Sequence, residues 1–405
     1  MTSVLFIQTP VLERDGHFYL AEGRAEDYGK TWSCNTGDLL VCDSLLKELK
    51  FDHWENLMIP IAREPLPLPQ NIDINRINSE FDYVILRGSN YINDHLDLSP
   101  FADFVEKLKI PFIPIGLGVQ SPAYENITLS EGTKRFIKVL ASSCERVGVR
   151  GNFSAEIIAS YGIDNINVIG CPTLYRTLSP TIEINKKADF DESYSVGLTT
   201  NRYLTGAYAA NSAMTISVQT SLIKQIAALD NGKLVSQGEK DEFYVSRGVK
   251  EHFDDSLKRI LSYFDSENND EVHDLITNRN RVYFDVGKWS DYVRSLDFMV
   301  GLRLHGNIIA LQQGVPSVFI TYDSRIREIS ELMHLPFLDV SNSSTIQWDL
   351  RELYNQADFS KFEQIYLDRY YNYVQFLETN DVLHNLVSNA MPSIGGQMQK
   401  DKIAA

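Results

Sequence analysis

The stretch Leu296–Glu328, LDFMVGLRLHGNIIALQQGVPSVFITYDSRIRE, leaves few folds open to the chain around it. Leu296–Val300 is a short apolar run without helical period, as expected of a strand buried on both faces. Gly301–Gly306 then crowds an arginine and a histidine between glycines. Asn307–Gln313 has helical character, with Ile308, Ile309 and Leu311 apolar, and Gly314 and Pro316 stop it. Ser317–Tyr322 is a second β-branched and aromatic run. The unit reads strand, tight turn, short helix, strand, the repeating piece of a parallel α/β sheet. Arg303 and His305 therefore fall at the carboxyl end of a strand beside a helix start. Open α/β sheets bind ligands there, and unpaired N–H groups favour anions. Arginine offers a permanent planar fork for carboxylate or phosphate, and histidine can donate a proton near neutral pH. The pair suits an anionic substrate that must also be protonated. A helix-capping histidine beside an arginine on a surface carboxylate would show the same spacing.

At 405 residues the chain is long for one core, so two domains are expected. Its 38 basic against 54 acidic residues give a net charge of −16, which argues against nucleic acid or an anionic membrane as partner. A local basic pocket for an anionic substrate remains open. Cys34, Cys42, Cys144 and Cys171 have neither metal-ligand nor disulfide-framework spacing, the pattern of reduced thiols in a cytoplasmic protein. The amino terminus lacks a basic segment, its apolar run is too short for a signal peptide, and no stretch is long enough to span a bilayer. A soluble, cytoplasmic protein is expected.

Along the chain, Val4–Gln8 reads as the first strand. Asn35, Gly37 and Asp38 open the helix Leu39–Leu49, with Leu40, Asp43, Ser44 and Lys47 expected toward water and Leu39, Cys42, Leu45, Leu46 and Leu49 toward a core. Such a helix start can approach an anion or a sugar, or serve as an ordinary N-cap. Asn56–Gln70, with four prolines, reads as an extended connection. Strands follow at Tyr83–Arg87, Ile110–Ile115, Arg146–Arg150 and Asn165–Ile169, alternating with helices at Phe101–Leu108, Thr128–Ser143 and Gly151–Tyr161. Gly116 and Gly118 end the second of these strands, where glycine allows backbone to approach a ligand. No dinucleotide-binding fingerprint is present.

Arg176–Tyr194 has no period and reads as a linker. A second α/β run follows: strands Ser195–Thr200, Lys233–Gln237 and Arg281–Phe284, helices Thr215–Asp230 and Asp254–Phe264, and helix Trp289–Ser295 leading into the opening stretch. Repeated strand–helix alternation implies parallel sheets covered on both faces. Phe362–Leu377 is an aromatic helix suited to packing across domains. The expected division is residues 1–180, 190–345, a helical 346–391 bridging both, and a disordered tail at 392–405. The Gly395-Gly396-Gln397 tripeptide in that tail carries no function in this reading.

With these residues in view, the chain resembles the polysaccharide pyruvyl transferase family. The Trp289–Glu328 block carries the resemblance, supported by NTGD at Asn35–Asp38, by GLGVQSP from Gly116, and by VGVRGNFSAEIIASYGIDNINVIGCPTL ending at Leu174. Two departures stand out: Arg87-Gly88-Ser89-Asn90 replaces a common glycine triplet, and Cys171 stands where an aspartate is common. The resemblance implies an α/β fold of two Rossmann-like lobes with parallel sheets, in a GT-B-like arrangement with an interdomain cleft. It also implies phosphoenolpyruvate as donor substrate and a sugar or lipid-linked oligosaccharide as acceptor, giving a cyclic pyruvate ketal on a cell-surface glycan or exopolysaccharide precursor.

On that reading His305 is the general acid and Arg303 and Arg150 clamp the donor, with Arg325 a further phosphate ligand. Asn35, Gly37, Asp38, Gly116, Gly118, Leu304 and Gly306 complete the expected substrate-binding set. Neither a metal nor a resident cofactor is expected, and a homo-oligomer is possible. His95 is a first-lobe loop histidine, and Val11–Trp32 and Asn201–Ala213 are the segments expected to vary with the acceptor. Two other classes of protein fit the same residues. One is a GT-B-type glycosyltransferase whose Arg303 holds a nucleotide-sugar diphosphate, and the other is a non-catalytic sugar- or anion-binding protein.

Overall fold

The structure, a computed structural model, describes residues 1–9, 11–14, 17–20, 35–202, 204, 208–341 and 349–388. Cys34, the tail at 392–405 with its Gly-Gly-Gln, and most of the segment Val11–Trp32 lie outside the described residues. Of that last segment only the antiparallel pair β2 (Val11–Arg14) and β3 (His17–Leu20) is described.

The first lobe is a parallel sheet in the order β4-β1-β5-β6, formed by β1 (Ser3–Ile7), β4 (His53–Leu57), β5 (Tyr83–Arg87) and β6 (Phe112–Ile115). Hydrogen bonds from the Gly116 and Leu117 amides to the Gly148 carbonyl (3.0 and 2.9 Å) continue it into β7 (Val147–Val149), which pairs in parallel with β8 (Ile166–Val168). The second lobe has six parallel strands: β9 (Val196–Thr199), β10 (Gly232–Ser236), β11 (Asn280–Val282), β12 (Phe298–Gly301), β13 (Ser317–Thr321) and β14 (Phe337–Asp339). Their order, β11-β10-β9-β12-β13-β14, reverses direction between β9 and β12, the place where a doubly wound sheet opens a ligand crevice. The fold is thus the expected pair of Rossmann-like lobes in a GT-B-like arrangement. Strands β4 and β14 and the helices Ile74–Glu80, Lys240–Arg247 and Asp270–Asn278 were not expected from the sequence. These elements are short, and β4 (HWENL) lacks the apolar run that marks the central strands.

Two helices join the lobes. Thr36–Glu48 was expected to turn Leu40 and Ser44 to water, but both are fully buried. Leu40 belongs to the second lobe's core beside Val235, Trp289 and Ile309, and Ser44 donates to the Leu40 carbonyl at 2.7 Å. The helix is wedged between the lobes, so it has no broad solvent face. The long helix Ser360–Thr379 returns to the first lobe, where the Tyr366 and Tyr370 hydroxyls donate to the Leu174 and Leu178 carbonyls (2.7 and 2.8 Å). Tyr373 donates to the buried Glu48 carboxyl at 2.9 Å. Burial pushes the pKa of that carboxyl well above the usual range. No helix among the described residues is long and apolar enough to cross a membrane.

Candidate functional site

The carboxyl ends of both sheets open onto one cavity of about 360 Å³. Its walls include Asp38, Asn90, Gln120 and Arg150 from the first lobe and Arg303, Leu304, His305, Tyr322 and Arg325 from the second. Arg303 is the N-cap of the helix Leu304–Leu311, so His305 lies in that helix's first turn. Gly301 precedes them at φ +150°, with the Thr199 carbonyl so near that a Cβ would stand 2.2 Å from it. This glycine lets the chain turn from β12 into the cleft.

Arg303 is bound from behind. It donates to the Thr200 carbonyl at 3.0 Å and forms an ion pair with Glu239, which is buried at the end of β10. The sequence alternative of a surface carboxylate is thereby excluded. Arg325 donates to Asp323 (2.6 Å) and to the Tyr322 hydroxyl (3.1 Å). Arg87, in the glycine-triplet position, is almost fully buried and bridges the Gln8 carbonyl (2.7 Å) and Asp38 (2.8 Å). Gln8 itself sits in the left-handed region at φ 65°, held by two hydrogen bonds with Ile59 (2.9 and 3.1 Å). Arg150 is different. Its Nη1 donates to the Asn90 side-chain oxygen at 2.7 Å, and its buried Nε has no partner. Among the described residues it is the one cavity-lining arginine hydrogen-bonded to no carboxylate, and the neighbouring Gln120 also holds a buried, unpartnered side-chain N–H. Unpaired buried donors are costly, so an acceptor group placed against this wall would be stabilised.

His305 is half-buried, with Nε2 3.6 Å from the Cys171 sulfur. Burial, then the Arg150 guanidinium, with Arg87 and Arg325 behind it, pulls its pKa down to about 3 against the opposing pull of Asp38. These surroundings favour the neutral imidazole in the free protein.

The other expected residues are placed as follows. Asn35 caps the helix Thr36–Glu48, accepting the Gly37 amide at 3.0 Å, and it also lines the cavity. Gly37 stands behind His305; a Cβ there would meet Nδ1 at 2.6 Å. Gly116, Gly118 and Gly306 lie behind the wall, where they were expected to meet ligand. Side chains there would collide with Pro172, the Asn90 amide and the Gln237 amide respectively, so the glycines serve packing of the wall. His95 pairs with Asp94 at 3.2 Å on the surface, outside the cavity wall. Of the segment Asn201–Ala213, Tyr208 reaches the wall and Asn201 donates to the Tyr322 hydroxyl at 2.7 Å. Sequence reading did not single out Asn90, Gln120, Gln237, Glu239 or Tyr322 as site residues. No group of three or more His, Cys, Asp or Glu side chains among the described residues is arranged to hold a metal ion.

The model of the polysaccharide pyruvyl transferase family matches residues 35–324. The chain belongs to that family. The match runs from the Asn35 cap to Ser324 and so spans Arg150, Arg303 and His305. No curated protein matches the chain. Solved structures with a similar chain course include the S. aureus MnaA–UDP co-structure, at 10% identity and TM-score 0.42, covering 91% of each chain. Anabaena Alr3699/HepE in complex with UDP and glucose aligns at 10% identity and TM-score 0.41, over 94% of this chain and 96% of that one. An uncharacterized protein, KP1_0663 from Klebsiella pneumoniae, aligns at 12% identity and TM-score 0.36, over 82% and 88%. At such similarity nothing about substrate passes to this pyruvyl transferase family member.

Proposed function

We propose that this family member transfers pyruvate from phosphoenolpyruvate to two hydroxyls of a sugar in a polysaccharide or its precursor, forming a cyclic ketal and releasing phosphate. The observation that carries the reading is the Arg150 guanidinium, buried, without a carboxylate partner and facing Arg303, Arg325 and His305 across one small cavity. A doubly anionic donor supplies the acceptors that this wall lacks. In the first step C3 of the enol phosphate takes a proton while a sugar oxygen bonds to C2 and gives up its own proton. In the second step the neighbouring hydroxyl bonds to C2 and gives up its proton, the bond from C2 to the phosphate oxygen breaks, the phosphate leaves carrying that proton, and the ketal closes.

His305 is the proposed acid for C3. Its proton affinity is low while the cleft is empty, because burial first, and then the arginines around it, disfavour the charged ring. The phosphate and carboxylate of a bound donor offset those cations and raise its proton affinity, so the acid forms where it is used. Arg150 and Arg325 would hold the donor while Arg303, fixed by Glu239, orients the turn that carries His305.

The test is thermal stability of the wild type and of Arg150→Ala with phosphoenolpyruvate, UDP or GDP. A ligand bound by the native state alone stabilises by about 2.7 kcal/mol at a hundred times its Kd. The expected result is a raised midpoint with phosphoenolpyruvate that is lost in Arg150→Ala. A shift with a nucleotide alone would move the assignment to a glycosyltransferase.

A further inference from the structure

Cys171 lies just after β8, in the first lobe, and is fully buried. Its sulfur is 3.6 Å from Nε2 of His305, which belongs to the second lobe. The Thr173 hydroxyl donates to the same sulfur at 3.0 Å. A thiol has one hydrogen and is a weak acceptor. With Thr173 already donating to it, the hydrogen it holds is left for the imidazole. The other ring nitrogen, Nδ1, sits over Gly37, where a side chain would collide with it.

We propose that Cys171 is a positioning residue for His305: its S–H donates across the seam between the lobes to Nε2, fixing the ring's orientation and leaving the single proton of the neutral imidazole on Nδ1. This rests on the reading of His305 as the acid of pyruvyl transfer, but the contact itself does not. Three features support it. The surroundings favour neutral imidazole, first through burial and then through the charges of Arg150, Arg87 and Arg325, with Asp38 the carboxylate opposed to them. A neutral ring in this place needs a donor for its lone pair, because an unsatisfied buried acceptor carries a free-energy cost. Threonine 173 and the thiol form a two-step chain that orients the sulfur before it meets the ring. Thr173 is itself fully buried and its carbonyl accepts from Gln312 of the second lobe, so the chain is anchored on both sides of the seam.

The experiment is nitrogen NMR of the imidazole rings in protein labelled at its eight histidines, with His305 assigned as the signal lost in His305→Asn. Phosphoenolpyruvate binding is measured by calorimetry on the same samples. In the wild type the expected tautomer carries its proton on Nδ1. Cys171→Ser, whose hydroxyl also donates, should keep it. Cys171→Ala should release it, and Cys171→Asp, whose carboxylate can only accept, should move the proton to Nε2. Unchanged tautomers across Cys171→Ala and Cys171→Asp would overturn the proposal even if phosphoenolpyruvate binds normally. Loss of phosphoenolpyruvate binding in the wild type would instead count against pyruvyl transfer, and the tautomer pattern would still decide the role of Cys171.

Discussion

His305 shows how one residue's chemistry is set by groups far from it in sequence. Its pKa stands near 3 where an ordinary histidine titrates near 6.5, mainly through burial and Arg150. In the unfolded chain the ring takes a proton below about 6.5, while in the folded protein it resists until about 3. Its contribution to stability is thus intact above pH 6.5 and is lost progressively as pH falls toward 3, amounting to about 2 kcal/mol by pH 5. Urea unfolding at pH 7.5 and pH 5 should therefore show the wild type losing about 2 kcal/mol more than His305→Asn. Equal losses would mean that the imidazole is charged in the native cleft. Arg303 and His305, singled out from sequence because a charged and a titratable group between glycines at a strand end has few structural uses, both line the cavity. Their partners were not legible. Glu239 is 64 residues from Arg303, and Cys171 is 134 residues from His305. Such pairings follow from how sheets are wound; Cys171 stood out in the sequence only as a departure, and neither local segment names its partner.

Among the elements, the helix Thr36–Glu48 separates a local reading from a folded one. Its periodicity permitted Leu40 on a solvent face, yet Leu40 is fully buried against Val235, Trp289 and Ile309. Leu40→Ala should cost about 2–5 kcal/mol in urea unfolding, the range for a truncated core leucine. A cost within about 0.5 kcal/mol, as for a surface position, would contradict the wedged helix. Most strands and major helices were legible, with ends off by a few residues, because buried parallel strands are short apolar runs bounded by glycine or proline. The missed elements lacked that signal. Helix Lys240–Arg247 is dominated by polar residues, and β14 is three residues long. The glycines taught a related lesson: Gly116, Gly118 and Gly306 do permit close approach, but to protein groups that build the wall.

At the scale of the whole molecule, a chain of net charge −16 concentrates four arginines around one small cavity. Three are matched by Asp38, Glu239 and Asp323, and Arg150 is matched by a neutral amide. The lobes that carry these groups are tied beside the cleft by reciprocal Ser121–Ser324 hydrogen bonds (3.0 and 3.1 Å). Glu328 adds to this by accepting from the Ser154 amide and hydroxyl (3.1 and 2.9 Å) at a first-lobe helix start. Strand order could not be read from the sequence, since pairing is non-local, but alternation alone implied parallel sheets and therefore a ligand at their carboxyl ends. The measurement that tests pyruvyl transfer most directly is incubation of the wild type with phosphoenolpyruvate and a panel of methyl glycosides and oligosaccharides bearing free diols, followed by phosphate determination and mass spectrometry of the sugars. The expected result is phosphate release with at least one acceptor, matched by a sugar that has gained one pyruvate less one water. Arg150→Ala and His305→Ala should each lower that rate by at least about a hundredfold. Transfer of a glycosyl group from a nucleotide sugar to the same panel, with phosphoenolpyruvate left intact, would contradict it.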